Sequence, residues 1–269
     1  MSLGDPRLVE AADRNLVDAF AALVPNVNAG RIVRQFGAVT SVVTGVAHPF
    51  YNPVFVLDDH AMPRDVTAAV EGARAMGHEP CVLEREDVDR RFGALVRSLG
   101  FEPDEWITPG MVLDPVPDRT PAPPEGLRIE LVREGPGGSA GLEAFHVAFG
   151  SGPVFRSALP ESTLRDDRFR LIVGWDADGP ATCSIAVRSA REFGVYAVGT
   201  VEHARRRGYG TAITWAALAV GRDAWGLSTA VLQSSELGLG VYSKMGFVEV
   251  CRYIDFFAPT PEASASIQE

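Results

Sequence analysis

A short arginine and glycine segment between an apolar run and an amphipathic stretch constrains the fold most strongly. Residues 205–210 read Arg-Arg-Arg-Gly-Tyr-Gly and follow a strand-like apolar run over 195–201. In the next stretch, 211–220, apolar side chains recur at i, i+3, i+4 and i+7, which predicts a helix with one apolar face. Glycine lets the backbone approach a ligand closely, and the first N–H groups of a helix have no partner inside it. Because the helix dipole favours an anion there, the segment predicts a phosphate-binding turn between strand and helix.

The spacing excludes two better known phosphate motifs. The dinucleotide fingerprint needs Gly-x-Gly-x-x-Gly, and the P-loop needs Gly-Lys followed by Ser or Thr. A tight turn with solvated arginines is the alternative for 205–210 taken alone. The downstream sequence favours the phosphate-binding interpretation. Residues 231–236 predict a strand that enters a polar turn, and 241–247 read Val-Tyr-Ser-Lys-Met-Gly-Phe before a last strand over 248–257.

Three segments in this order and spacing resemble the GNAT superfamily of acyl-CoA-dependent N-acyltransferases. They are Val198-Gly199-Thr200-Val201, Arg205-x-x-Gly208-x-Gly210 and Tyr242-x-x-x-Gly246-Phe247. The resemblance covers 127–259 and implies an α/β fold with a mixed sheet and a site for acetyl-CoA. Two positions depart from the family pattern. Glu202 stands where the family often has proline, and 234–235 are serines where asparagine is common.

Composition is that of a globular protein without a basic surface. The chain has 269 residues, 46% hydrophobic content and a formal net charge of -10, so we expect ample core and no nucleic-acid binding. Cys81, Cys183 and Cys251 lie in apolar contexts without metal-ligand spacing, which predicts buried thiols and no metal. With no signal peptide and no apolar run long enough for a bilayer, we expect a cytoplasmic protein that does not bind membranes.

Prolines divide the chain. Residues 116–126 are rich in proline and predict an extended linker between domains at 1–115 and 127–258. The small polar residues over 259–269 predict a disordered tail.

The first domain is predicted to be a degenerate GNAT-like repeat of the second. Both end in the order strand, strand, helix, strand, helix, strand, and the last helices end in Leu-Gly-Phe at 99–101 and Met-Gly-Phe at 245–247. Chance recurrence of a common α/β layout is the alternative. Where the second domain has its glycine loop, 58–63 read Asp-Asp-His-Ala-Met-Pro, with two acids and no glycine. We therefore expect that the first domain does not bind CoA and instead walls the acceptor site.

The resemblance assigns the cofactor contacts. Backbone N–H groups of 206–211 would surround the diphosphate, with arginines adding charge, although Arg205 is alternatively a structural residue tied to the loop. The strand 195–201 would bond the pantetheine amides, with a bulge that splays it from the next strand and an N–H near 198–200 as oxyanion donor. The predicted cofactor-binding residues are Val198, Gly199, Thr200, Val201, Arg205, Arg206, Arg207, Gly208, Tyr209, Gly210, Thr211, Ser235 and Tyr242.

Tyr242 is the predicted general acid, because a phenol with a pKa near ~10 can protonate a leaving thiolate. The alternative is that Tyr242 only packs under the cofactor. Glu202 and His203, at the end of the strand, are candidate general bases, and Glu236 is a third. Each of them can instead simply face solvent, and an amine of low pKa needs no base from the protein.

The acceptor is expected to be a primary amine, either a small molecule or an exposed amino terminus. Its pocket is predicted to include the loop 48–52 and five aromatic positions, with ordinary core packing as the alternative. The five are Phe145, His146, Phe149, Phe155 and Trp175. Two other functions stay open at this point, a CoA-responsive binding module without turnover and a structural or partner-binding protein. An exposed sheet edge also leaves a homodimer open.

Overall fold

The computed structural model describes residues 4–27, 32–135 and 137–259. Nearly all of the tail predicted to be disordered therefore lies outside the described residues. No helix within these ranges combines the length and apolarity needed to cross a bilayer.

Helices and strands alternate along most of the chain. The α-helices of the described ranges are α1 (Pro6–Val27), α2 (Pro63–Ala75), α3 (Glu86–Ser98), α4 (Gly138–Phe149), α5 (Pro153–Ala158), α6 (Tyr209–Trp225) and α7 (Glu236–Lys244). Short 3-10 helices cover Pro49–Tyr51, Glu161–Arg165 and Glu202–Ala204. The strands are β1 (Ile32–Phe36), β2 (Val39–Val43), β3 (Val54–Val56), β4 (Val82–Arg85), β5 (Glu102–Pro103), β6 (Thr108–Leu113), β7 (Arg128–Val132), β8 (Phe169–Asp176), β9 (Gly179–Arg188), β10 (Phe193–Thr200), β11 (Ala230–Gln233) and β12 (Val248–Phe257).

All strands belong to one mixed sheet, with the order β1-β2-β3-β4-β12-β6-β11-β10-β9-β8-β7 and β5 beside β12. Two parallel pairs, β3 with β4 and β10 with β11, occur in an otherwise antiparallel sheet. We call the two predicted domains, 1–115 and 127–258, the first and second halves of the chain. The last strand of each half pairs with strands of the other half. Strand β6 pairs with β11, and β12 pairs with β4, so the sheet runs without a break through both predicted domains.

Side chains alternate across this sheet and build two apolar layers. Cys251 and Tyr253 of β12 face the layer under α1, whereas Ile254 and Phe256 face α2 and α3. Helices α4 and α5 share the layer of α1, and α6 and α7 lie on the opposite face. Helix α1 crosses the middle of the sheet and contacts β2, β6 and β9–β12. The first helix of the chain therefore lies over strands of the second half.

Strands β1 and β5 were not predicted from the sequence. Strand β5 has only two residues, which is too short to show an alternating pattern. Helix α2 begins at Pro63, because proline suits the first turn of a helix and Met62 adopts the extended cap conformation.

The repeated x-Gly-Phe ends have the same geometry in both halves. Gly100 and Gly246 take left-handed φ values of 93° and 99°, which only glycine adopts without strain. Phe101 N–H donates to the carbonyl of Val96 at 3.3 Å, and Phe247 N–H donates to that of Tyr242 at 3.0 Å. This match makes Val96 the counterpart of Tyr242 in the first half.

Candidate active site

A bulge interrupts strand β10 in the second half. The pairing of β10 with β9 shifts register between Tyr196 and Gly199, and Ala197 has a left-handed φ of 49°. Thr182 of β9 donates to the carbonyl of Gly199 at 2.6 Å, and the Cys183 thiol lies 3.6 Å from that of Ala197. The carbonyls of the residues on both sides of Val198 thus point to β9. The N–H and C=O of Val198 therefore point to the opposite edge of β10.

On that other edge β10 parts from β11. The two strands pair at Phe193 with Ala230 and at Gly194 with Val231, and no later pair forms among the described residues. From Tyr196 to Thr200 the strand is half-buried. We call the gap that opens here between β10 and β11 the slot. The open edge of β10 along it offers unpaired N–H and C=O groups, and such groups can bond an extended chain of amides.

The slot leads to the arginine and glycine loop at the start of α6. Arg206 and Gly208 have φ values of 62° and 79°, and no side chain caps the helix. Alternation of right-handed and left-handed residues turns successive backbone N–H groups toward one concave side, which is a general form of anion site. The N–H groups of the first turn, Tyr209 to Thr211, add to it because a helix leaves them without internal partners.

The three arginines of the loop are not equivalent. Arg205 Nε donates to the carbonyl of Thr200 at 3.2 Å, so this side chain ties the loop to the end of β10. Arg207 Nη1 lies 3.6 Å from Asp176 Oδ2, and Arg206 is exposed. Arg206 and Arg207 are therefore the loop cations that can add charge to an anion site.

Tyr242 lies on α7, beside the slot, and is 9% exposed. Its ring packs edge-on against Phe247 with centroids 5.9 Å apart, and a Cβ on Gly238 would stand 2.6 Å from the ring. Burial raises the pKa of the Tyr242 phenol to about 12. The hydroxyl is thus protonated at neutral pH and able to donate. Ser235 caps the same helix and accepts the N–H of Gly238 at 3.3 Å.

The candidate bases lie after the ends of β10 and β11, the two strands that border the slot. Glu202 and His203 are exposed in the short 3-10 helix that follows the strand, and Glu236 is exposed in the first turn of α7. His203 lies near the tip of the β8–β9 hairpin, where its ring and the carboxylates of Asp176 and Asp178 offer ligand atoms within 4.8 Å of one another.

Both oxygens of Asp176 have protein neighbours, but the buried Oδ2 has no hydrogen-bond partner among the described residues. Its Oδ1 accepts the N–H of Asp178 at 2.9 Å, and its Oδ2 faces Arg207. The expectation that the protein holds no metal stays a prediction.

Four of the five predicted acceptor aromatics gather at the end of α4. Phe149 and Phe155 have ring centroids 4.5 Å apart, and Phe145 stacks near both. A Cβ on Gly199 would stand 2.9 Å from the ring of Phe149, so this group lies directly against the bulge. His146 bonds Ser151 at 3.1 Å, and burial lowers its pKa. Trp175 lies apart, on β8 beneath the guanidinium of Arg128.

The first half supplies further groups around the slot. The ring of Phe50, from the predicted loop, packs with Phe155 against the core layer under α1. Trp106 Nε1 donates to the carbonyl of Ser234 at 3.3 Å, and Ser234 N–H donates to that of Pro109 at 2.9 Å. The turn after β11 is therefore held by the strand that the first half contributes.

Sequence reasoning missed two polar groups close to the slot. Tyr196 stands at the bulge, and its hydroxyl donates to Asn15 of α1 at 2.6 Å. Gln233 ends β11 with a buried Nε2 that has no hydrogen-bond partner among the described residues. The available signal was Asn15 itself, which interrupts the apolar stripe of α1 between Ala12 and Ala19.

The bulged strand, its splayed parallel neighbour and the glycine loop at a helix start define the fold of the GNAT acetyltransferases, as the sequence predicted. Solved structures agree. A GCN5-related N-acetyltransferase from Kribbella flavida matches with a TM-score of 0.73 and 16% identity over 96% of this chain and 97% of that one. A GCN5-related N-acetyltransferase from Sphaerobacter thermophilus matches with a TM-score of 0.57 and 19% identity over 81% and 76%.

A tandem GNAT protein from the clavulanic acid biosynthesis pathway also matches, with a TM-score of 0.54 and 16% identity over 87% of this chain and 81% of that one. No family model matches the sequence, and no curated protein matches it either. The chain thus has the GNAT fold over most of its length, and the predicted mixed α/β architecture is confirmed.

Proposed function

We propose that the protein is an N-acyltransferase that moves an acetyl group from acetyl-CoA to a primary amine, on a small molecule or an exposed amino terminus. The observation that carries the proposal is the slot between β10 and β11, which leads from the bulge to the anion-binding loop of 205–210. A ligand with an amide chain at one end and phosphates at the other fits both parts. CoA has this composition.

Chain groups along the slot would hold the cofactor. The N–H groups at the start of α6, with Arg206 and Arg207, would bind the diphosphate. The open edge of β10 would bond the pantetheine amides. When bound, acetyl-CoA supplies a thioester as the activated acyl group. The N–H of Val198, on the free edge at the bulge, would donate to the acyl oxygen as negative charge develops on it.

Tyr242 would protonate the departing thiolate. Its phenol is protonated at neutral pH because burial raises its pKa. Its ring packs in one apolar cluster with Val195 of β10 and Leu232 of β11, the two strands that border the slot, so the hydroxyl would lie near the sulfur of the cofactor.

In a direct attack within a complex of both substrates, the C–N bond would form as the thioester C–S bond breaks, so the protein supplies no nucleophile. The amine would lose its proton to Glu202, to His203 or to water. Burial raises the pKa of the Cys183 thiol far above neutrality, which makes it a poor nucleophile.

The first half would shape the acceptor side and not bind a second cofactor. Val96 occupies the position that corresponds to Tyr242, and α2 starts with Pro63 instead of a glycine loop. Asp58 and Asp59 precede that helix and would repel a diphosphate. Of this half, α1 contacts both β10 and β11, and Trp106 bonds the turn after β11, so these two would border the acceptor side.

Incubation with acetyl-CoA and a panel of primary amines tests the proposal. Amine-dependent release of CoA thiol, with a mass increase of one acetyl group on the amine, is the expected result. Binding of acetyl-CoA without turnover on any amine would favour the non-catalytic binding module. Failure to bind any CoA species would favour the structural or partner-binding protein.

A further inference from the structure

Among the described residues, every side-chain hydrogen bond of Asn15 of α1 joins it to the second half of the chain. The residue is completely buried. Its Nδ2 donates to Ser189 Oγ at 2.6 Å and to the carbonyl of Val187 at 3.3 Å. Its Oδ1 accepts the hydroxyl of Tyr196 at 2.6 Å. A buried amide with every polar atom engaged fixes the geometry of its partners, because breaking any one bond leaves a polar group unsatisfied.

The contact depends on a glycine in β10. A Cβ on Gly194 would overlap both Asn15 Oδ1 and the ring of Tyr196. Only a residue without a side chain at 194 lets α1 approach the strand so closely. The carboxamide of Asn15 thus occupies the space that a side chain at 194 would fill. Tyr196 is the next residue of β10 on the same face.

A second contact fixes the same strand from its other end. Arg14, next to Asn15, makes a 2.6 Å ion pair with Glu192, whose side chain is 1% exposed. Glu192 immediately precedes β10, and Tyr196 immediately precedes Ala197, the residue with φ of 49° at the bulge. Helix α1 therefore holds β10 on both sides of the segment that leads into the slot. A left-handed alanine persists only where the surrounding structure imposes that conformation.

We infer that Asn15 is a positioning residue for the proposed acyl transfer. It acts through Tyr196, whose bonded hydroxyl fixes the bulge of β10 and thereby the direction of the Val198 N–H toward the acyl oxygen. The inference rests on the proposed function. It also gives the first half a part in catalysis, since one of its helices sets the geometry of a strand in the second half.

Tyr196→Phe tests the inference, because it removes one oxygen and keeps the ring. The chain offers a matched control in Tyr253→Phe. The Tyr253 hydroxyl donates to Asp13 Oδ1 at 2.8 Å, so it too is a buried phenol bonded to α1, but it lies on β12, away from the bulge. A merely structural role predicts that both variants lose melting temperature and keep their turnover.

Steady-state thiol release and acetyl-CoA binding would be measured for both variants. We expect kcat of Tyr196→Phe to fall about tenfold to a hundredfold, as for other small misplacements of catalytic groups, with the Kd of acetyl-CoA changed little. Tyr253→Phe should keep the kcat of the wild type. Asn15→Leu, which removes all three bonds, should reproduce the loss of kcat.

Two results would overturn the inference, and they differ. If the wild type turns over and the two phenylalanine variants show the same kcat, Asn15 and Tyr196 serve stability alone and the proposed function stands. If the wild type itself releases no thiol with any amine, the proposed function fails and the inference fails with it.

Discussion

Replacing Tyr242 by phenylalanine removes one oxygen atom from the proposed active site and leaves the ring in place. The ring keeps its contact with Phe247, and no hydrogen bond involves the hydroxyl among the described residues. We therefore expect the free energy of unfolding to change by less than ~1 kcal/mol. Because the cofactor is held by the loop and the edge of β10, the Kd of acetyl-CoA should also stay close to that of the wild type.

Turnover should fall much further than binding. General acid catalysis contributes about 10²–10⁴-fold, and an acid works best when its pKa lies near that of the group it protonates. Burial raises the pKa of Tyr242 to about 12, whereas a thiol has a pKa of ~8.5. This mismatch favours the lower end of the range, so we expect a loss of about 10²-fold, equal to ~2.7 kcal/mol in activation free energy.

Thiol release at saturating acetyl-CoA and amine measures this loss, with calorimetric binding of acetyl-CoA as the control. The raised pKa also predicts that deprotonation of Tyr242 produces no fall in the wild-type rate as the pH rises to 10, since the phenol keeps its proton there. A kcat of the variant within about twofold of the wild type would refute the role of Tyr242 as the acid.

Three further predictions concern the loop, a buried acid and the α1 contact. Gly208→Val should weaken acetyl-CoA binding about tenfold, measured by calorimetry, because a side chain at a φ of 79° costs ~1–2 kcal/mol; unchanged affinity would contradict it. Burial, and then the charge of Asp104, raises the pKa of Asp255 to about 7, above its value in the unfolded chain. The free energy of unfolding therefore falls as the pH rises from 4 to 7. Asp255→Asn should therefore raise the melting temperature at pH 8 and leave it unchanged at pH 4, and equal effects at both pH values would oppose this. Gly194→Ala should destabilise the fold by ~1–3 kcal/mol in urea unfolding, whereas Gly240→Ala, with open space around it, should not; equal stabilities would refute the close contact.

The parts of the site that a sequence can predict are those set by neighbours along the chain. The left-handed Gly208, the start of α6 and the x-Gly-Phe end after Tyr242 each follow from residues within one turn of helix. Their order and spacing carry the resemblance to the GNAT superfamily, and that resemblance implied the bulge and the splayed strand beside the loop.

Other features depend on contacts between distant residues. The position of β6 between β11 and β12 cannot be deduced from the sequence of β6, because other predicted strands would be equally good partners for it. Asn15 looks like an isolated polar residue in the stripe of α1, and its partner Tyr196 lies 181 residues away. Nothing local distinguishes such a pair from a solvated asparagine and a core tyrosine.

The central claim is that the slot and loop of the second half bind acetyl-CoA. Thermal unfolding with and without acetyl-CoA tests it most directly, with Gly208→Val as the matched control. At ~100 times the Kd the folded state gains ~2.7 kcal/mol, which for a chain of this size raises the melting temperature by roughly 5–10 °C. We expect this rise for the wild type and a smaller one for the variant at the same concentration. No rise for the wild type at millimolar acetyl-CoA would contradict the claim.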